Sequence, residues 1–260
     1  MNIVVWLRQT FDTEAKIVLD SEGKIDPSGV SLIINPYDEF AIEEGIKLKE
    51  QFGGEVTVVA LGGSHVSEAL RCALAMGADK AVALQESALE GSDEFVTANV
   101  LAEVIKTLPY DIILTGRVAI DEQSSQVAIR LAEILGVDSV SSVLSLEINE
   151  NVAIVTHDID GGYEVIEVTL PAVLTAQKGL NEPRYPSVAG IMKAKKKELK
   201  ILSLADLGIS PAAIGQTGAK MKLASFSLPP QRQAGRRIFG EPEQTAAELV
   251  QVLLAEAKVI

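Results

Sequence analysis

Asp111-Ile-Ile-Leu-Thr-Gly-Arg-Val-Ala-Ile-Asp-Glu-Gln-Ser-Ser-Gln126 reads as a strand running into a loop, and Val127-Ala-Ile-Arg-Leu-Ala-Glu-Ile-Leu135 behind it as a helix. The residues from Asp111 to Thr115 make an apolar run without alternation, the pattern of a strand buried on both faces. In 127–135 the apolar residues return at helical spacing. Ligands of an open parallel sheet bind outside the carboxyl ends of its strands, so residues 115–126 are the first candidate site. Within that loop Gly116 allows close backbone approach to a ligand, and Asp121 can accept hydrogen bonds from a ribose or from loop amides. Ser124 and Ser125 sit where the N-cap of the next helix belongs, beside free amides that favour phosphate. An ordinary capped loop uses the same residues and binds nothing, and the stretch by itself leaves both readings open.

Upstream, the same alternation of strand and helix repeats. Ile3–Leu7 is a short apolar strand, and Arg8 leaves its carboxyl end facing either the same crevice or solvent. Residues 10–30 are a polar, turn-rich excursion, long enough to cover a ligand or a partner. Pro36 holds Asn35 extended, so that its backbone can lie flat against a base. Asp38 is placed as the N-cap of a helix that carries Phe40, Ile42, Ile46 and Leu48 broadly on one face and closes at Gly53-Gly54. Glu55–Leu61 is a second strand, followed by the turn Gly62-Gly63 and a helix from a Ser64 cap to Met76. Ala78–Leu84 is a third strand. Residues 93–106 are an amphipathic helix with Asp93 and Thr97 four apart near its start, within reach of a ligand at the sheet edge. Such alternation predicts an α/β fold, a doubly wound parallel sheet with helices on both faces. The Gly-x-Gly-x-x-Gly fingerprint of dinucleotide binding is absent after the first strand.

Beyond Gly136 the rhythm changes. Ser139–Ile148, Val152–Asp158 and Tyr163–Leu170 alternate around Asn149-Glu-Asn151 and Asp160-Gly-Gly162, predicting a β-hairpin or meander added to the sheet, with Ala172–Ala176 returning to it. The loop 179–192 presents Tyr185, Val188, Ile191 and Met192, with Lys193, Lys195, Lys196 and Lys197 next. Apolar residues beside a basic cluster suit a docking surface and equally a solvated helix end. From Leu199 onward the helix–sheet alternation is read as ending. Residues 208–240 are rich in Gly, Pro, Ser and Gln, and Pro242–Lys258 is a last amphipathic helix. The division expected is 1–200 for the α/β domain and 201–260 for a C-terminal arm embracing another subunit, with Arg232, Arg236 and Arg237 along it.

Composition narrows the classes. A net charge of −13 over 260 residues provides no basic field for nucleic acid. One cysteine and two distant histidines, His65 and His157, rule against a disulfide framework and a histidine metal site and fit a reducing compartment. No run reaches the roughly 18–20 apolar residues of a membrane span. The N-terminus enters a strand with no basic segment ahead of it. A soluble, cytoplasmic protein without membrane insertion is expected.

Several segments together resemble a known family. Asn35-Pro-Tyr-Asp-Glu-Phe-Ala-Ile-Glu-Glu44, Ala73-Leu-Ala-Met-Gly-Ala-Asp79, Gly116-Arg-Val-Ala-Ile-Asp121 with Gln126, Leu180-Asn-Glu-Pro-Arg-Tyr185 and Ile191-Met-Lys-Ala-Lys-Lys-Lys197 look like the β subunit of electron transfer flavoproteins. The likeness runs over nearly the whole chain in order. It implies an adenine nucleotide α-hydrolase-like fold and a heterodimer with an α subunit that holds the redox-active FAD. It also implies a buried adenine nucleotide in this chain and an arm around the partner. Nucleotide contacts implied are Trp6, Asn35, Pro36, Tyr37, Asp38, Leu61, Gly116, Arg117, Val118, Ala119, Ile120, Asp121, Glu122, Gln123, Ser124, Ser125, Gln126 and Val127.

The loop around Val188 is implied to dock on acyl-CoA dehydrogenases, with Val188 or Ile191 as the apolar plug and Tyr185, Met192 and Lys193 around it. Arg184 and the lysines are candidates for steering. A membrane quinone oxidoreductase is the implied acceptor, and no catalytic acid, base or nucleophile is needed because the flavin carries the chemistry. In simple carriers the nucleotide is a structural AMP. In electron-bifurcating members it is a second FAD reduced by NADH. Asp93, Thr97 and Arg117 resemble the FAD-holding version, whereas Glu122-Gln123-Ser124-Ser125 departs from its usual Gly-Asp-Thr-Ala, and the balance favours AMP. Two further readings stand beside these. An ATP pyrophosphatase of the same fold lacks its phosphate loop here, and a non-redox nucleotide module leaves residues 179–260 without a role.

Overall fold

The computed structural model describes residues 1–26, 28–230 and 234–259. In chain order the elements begin with β1 (Asn2–Trp6), β2 (Gln9–Phe11), β3 (Leu32–Ile34), α1 (Pro36–Phe52), β4 (Glu55–Gly62), α2 (Val66–Met76) and β5 (Lys80–Gln85). Next come α3 (Glu94–Ile105), β6 (Ile112–Gly116), α4 (Val127–Leu135), β7 (Asp138–Asn149), β8 (Val152–Ile159), β9 (Gly162–Thr169) and β10 (Ala172–Ala176). The last are α5 (Val188–Ala194), β11 (Leu199–Leu202), the single turn α6 (Gly215–Gly218) and α7 (Pro242–Val252). The chain divides into two units, Met1–Val18 with Asp26–Ala224, and Leu19–Ile25 with Ser225–Ile260.

The first unit is a doubly wound α/β fold. Its nine-stranded sheet has the order β11-β5-β4-β1-β6-β10-β7-β8-β9. Every pair from β11 to β7 is parallel, and β8 and β9 continue antiparallel as the meander. Side chains alternate between two apolar layers, as period-2 geometry requires. Ile3 and Val5 of β1, Val56 and Val58 of β4, and Ile112 and Leu114 of β6 pack with Ile42, Ile46, Leu70 and Leu74 of α1 and α2. Val4, Val59 and Ile113 point the other way, onto Val100, Leu101, Val104 and Leu131 of α3 and α4. The continuous apolar runs of the central strands are explained by that two-sided burial.

Several expected details differ. The helix–sheet alternation does not end at Leu199, because β11 pairs in parallel with β5 and covers that edge. The excursion after β1 contains a small ribbon, β2 against β3. The N-cap of α1 is Asn35 with Pro36 in the first turn, and Asp38 lies inside the helix, buried. Pro36 is pre-set for that first turn and has no amide to leave unpaired. His65, not Ser64, precedes α2, and Gln126, not Ser124 or Ser125, precedes α4. Asp93 does cap α3, its carboxylate accepting from the Val96 amide at 2.9 Å.

In the second unit, Leu19 bridges Ile25 across a turn, and α7 runs into one wide π-type turn, Leu253–Ala257. Arg236 pairs with Glu248 and Glu256. Phe239, Leu249, Val250 and Leu254 are exposed. Arg232 lies outside the described residues.

Candidate functional site

Two cavities adjoin at the carboxyl ends of the central strands and share Trp6 and Arg8. The larger, about 530 Å³, is lined by Leu61 and the turn Gly62–His65 after β4, by Ser87 and Leu89–Ser92 after β5, and by Thr97 and Glu122. The smaller is a tight slot over the β1–β6 switch point, lined by Asn35, Asp38, Thr115–Ala119 and Ser124–Ala128. A third space, about 280 Å³, lies against Tyr37, Arg117, Val118, Ile120, Gln123 and Ser125. The sequence-derived residues are thus largely gathered in one region. Pro36 and Asp93 line none of these spaces. The Asp93 carboxylate is taken up by the amides of Val96, Lys220 and Met221, so it roots the chain that follows α6.

The loop after β6 is shaped from beneath by the start of α1. The Asn35 side chain donates to the Val118 carbonyl at 2.9 Å and accepts from the Ile120 amide at 3.3 Å. Its backbone is committed as well, the amide donating to Arg8 and the carbonyl accepting from Asp38 and Glu39. Asn35 therefore staples the loop and has no free backbone to lay against a base. The buried Asp38 carboxylate accepts from the Arg8 amide at 2.7 Å and the Gly116 amide at 2.9 Å, tying the ends of β1 and β6 to one helix. Burial pushes its carboxyl up to about 7, opposed by the Arg8 and Gly116 amides, the Asn35 side chain and the Arg8 charge.

Gly116 serves this packing more than a ligand. A Cβ there meets the Asp38 carboxylate and approaches the Tyr37 backbone to 2.7 Å. Gly116→Ala is therefore expected to push β6 off α1 and to destabilise the fold by about 3 kcal/mol, the upper part of the overpacking range. Chemical denaturation of the purified protein measures it, and a loss under about 1 kcal/mol contradicts this role.

Arg8 spans the two main cavities. Its guanidinium makes a two-pronged bridge to Glu122, at 2.6 and 3.0 Å, and lies 3.6 Å from Asp121. Burial lowers the Arg8 pKa, but the bond and charge of Glu122, with Asp121 and Asp38, more than reverse this, and Arg8 stays protonated. Burial raises the Asp121 carboxyl, with the Arg8 charge opposing. Asp121 thus faces Arg8.

The rest of the loop is shaped to leave donors free. Gln123 and Ser125 hold positive φ, 56° and 54°. Non-glycine residues adopt that region only where their surroundings enforce it, and such strain gathers at functional sites. No side chain caps α4, so its first amides are available to an acceptor. Thr115 lines the same slot, and its buried hydroxyl has no partner among the described residues. Hydroxyls, helix amides and a strained turn at a switch point are groups of the kind that accept a phosphate. Among the described residues no set of His, Cys, Asp and Glu is arranged for a metal.

The docking candidates group elsewhere. Tyr185, Val188 and Met192 are 94%, 82% and 64% exposed, with Ile191 beside them on α5. Arg184 is not free to steer a partner, because its guanidinium forks onto Glu43 and Glu50 and its amide also reaches Glu43. Lys197 donates to the Leu74 and Ala78 carbonyls at the end of α2. Lys193, Lys195 and Lys196 remain exposed.

The reading from sequence missed the turns after β4 and β5 as cavity walls, although the strand-end rule that singled out 115–126 applies equally to them. Thr115 fell inside the stretch 115–126 read from sequence, but no role was given to its hydroxyl, which carries no signal beyond its place at the end of a buried strand.

A family model described as an electron transfer flavoprotein domain matches residues 23–207. The chain is 48% identical to an electron transfer flavoprotein subunit beta of Bacillus subtilis (strain 168), covering 100% of both chains. It is 46% identical to a subunit beta of Syntrophomonas wolfei, over 100% of this chain and 98% of that one. It is also 37% identical to the caffeyl-CoA reductase-Etf complex subunit CarD of Acetobacterium woodii, over 100% of both.

Proposed function

The chain belongs to the electron transfer flavoprotein family, as a β subunit, and from that premise we propose that its strand-end cavities hold AMP as a structural nucleotide. Members of this family are electron-carrying subunits, not enzymes, and the β subunit acts in a heterodimer with an α subunit. FAD, held mainly by the α subunit, supplies the electron chemistry. Electrons are taken from acyl-CoA dehydrogenases and passed to a membrane quinone oxidoreductase. The residues of this chain bind, orient and dock. The second unit, with α7 and its exposed apolar residues, is the arm that wraps the α subunit.

One observation supports the nucleotide above the others. The uncapped start of α4 and the partnerless buried hydroxyl of Thr115 face one slot, where a phosphate satisfies both. Glu122 adds a carboxylate at the boundary of the two main cavities. Arg8 offsets one of the two carboxylates, Glu122 and Asp121, gathered there; a second phosphate meets the remaining negative charge, so the site favours a nucleoside monophosphate over a dinucleotide. The adjoining cavity of about 530 Å³ favours the second reading, in which FAD occupies this subunit too and is reduced by NADH in an electron-bifurcating protein. Among the described residues no helix is long and apolar enough to cross a membrane.

Denaturing the co-purified αβ complex and counting the released nucleotides by chromatography tests this directly. One FAD and one AMP per heterodimer is the expected result. Two FAD without AMP establishes the second reading, and no adenine nucleotide beyond one FAD removes the assignment of this site.

A further inference from the structure

An apolar groove of about 480 Å³ lies between α2 and α5, away from the nucleotide cavities. Small side chains, Cys72, Ala75 and Ala194, line it together with Pro186 and Ile191, and Lys195 stands at its rim. It is held in shape. Gly190 sits so close to the Ala75 carbonyl that a side chain there has no room. Arg71 donates to the Ala194 and Lys197 carbonyls at 2.6 and 2.9 Å, and Lys197 donates back to the Leu74 and Ala78 carbonyls. Those two cations are committed to joining the helices. Beside Lys195 at the groove, Lys193 and Lys196 are exposed as well, a local positive patch on a chain of net charge −13. The groove reaches Ile191, which shares α5 with the exposed Val188 and Met192. A preformed apolar depression with a charged rim is the anatomy of an anchor pocket at a transient interface.

We propose that this groove is a socket for an apolar side chain of the electron-donating dehydrogenase, flanked on that partner by carboxylates that meet Lys193, Lys195 and Lys196. The inference rests on the docking reading of Val188 given above. It makes the contact reciprocal: Val188 enters the partner, and the partner enters the groove. Two anchors of opposite sense fix an orientation that a single plug leaves free to rotate.

The test uses the intact αβ complex and an acyl-CoA dehydrogenase reduced by its acyl-CoA, reading KM for the complex separately from kcat. Cys72→Trp fills the groove and is expected to raise KM at least tenfold at unchanged nucleotide content, as is Val188→Ala, while Cys72→Ser stays within about twofold. A wild-type KM in Cys72→Trp with a raised KM in Val188→Ala overturns the socket and leaves the docking reading standing. A wild-type KM in both overturns the docking reading itself. Should the tryptophan variant not fold, N-ethylmaleimide modification of Cys72, the only cysteine of this chain, is followed by peptide mass. Saturating dehydrogenase is expected to slow it at least fivefold. An unchanged rate, equal protection by the acyl-CoA alone, or protection by raising the concentration of the complex alone overturns the proposal.

Discussion

Above about pH 8, where its carboxyl is ionised, Asp38→Asn is expected to lower the stability of the protein by about 3–4 kcal/mol. The Asp38 carboxylate is buried and accepts one backbone amide at each oxygen, Gly116 at Oδ1 in the interior and Arg8, partly buried, at Oδ2. Asparagine has one acceptor oxygen, so its amide group faces a backbone N–H, donor against donor. A lost charge-assisted bond of about 1.5–3 kcal/mol and an unsatisfied buried donor of about 1–3 kcal/mol together give that figure. For a domain of this size the melting temperature falls by roughly 6–15 °C. Calorimetry of the αβ complex measures it, and a shift below about 2 °C contradicts the clamp.

The same group sets a pH dependence of unusual sign. Burial raises the Asp38 carboxyl to about 7 from its ordinary 3.8. Between those values the folded state binds the proton and the unfolded state has lost it, so stability falls as pH rises. The proton-linked part of this stability is complete below about pH 4 and gone by about pH 7, while the amide bonds of the ionised carboxylate remain above it. The gap between wild type and Asp38→Asn therefore narrows over that window and is constant above it. An ion-paired carboxylate with a lowered pKa gives the opposite slope.

Arg184→Ala is the second substitution expected to act strongly, by about 2–3 kcal/mol. Glu43 is buried in α1 and Arg184 is its ion-pair partner, at 2.8 Å. Removing one member of a buried pair costs about 3–5 kcal/mol because the other charge stays buried and uncompensated. Arg184 is 36% exposed, so solvent screens part of this. Arg184→Lys recovers about half, since an ammonium cannot fork onto both Glu43 and Glu50. The pair also fixes the segment that presents Tyr185 and Val188. Elastase cleavage between Val188 and Ala189 is expected to accelerate at least fivefold in the alanine variant. Unchanged stability and unchanged cleavage refute this role.

The central strands were legible because burial on two faces leaves a compositional trace, the unbroken apolar runs of β1, β6 and β10. The meander was legible through alternation and through Asn149-Glu-Asn151 and Asp160-Gly-Gly162. Failures share one cause, partners distant in sequence. Asp38 has the residue type and place of a cap, and only the approach of Arg8 and Gly116 shows otherwise. Arg184 looked free because Glu43 and Glu50 lie far upstream. Gly116 looked like an opening for a ligand because the helix pressed against it is invisible locally. β11 escaped notice because Leu199-Lys-Ile-Leu202 is a short edge strand with exposed positions and no turn signal of its own. In the site, the loop 115–126 announced itself, whereas the turns after β4 and β5 needed the sheet order to become its neighbours.

That edge strand also sets a timetable. β5 is made early, and the strand that closes its open side, β11, leaves the ribosome on the order of a hundred residues later. At ~5–20 residues per second the wait is on the order of ten seconds. Throughout it, the nascent sheet carries a row of unpaired amides and carbonyls, the feature that recruits stray strands. Docking of Leu199–Leu202 replaces that edge with a four-residue one, so the exposure is greatest while the chain is being made.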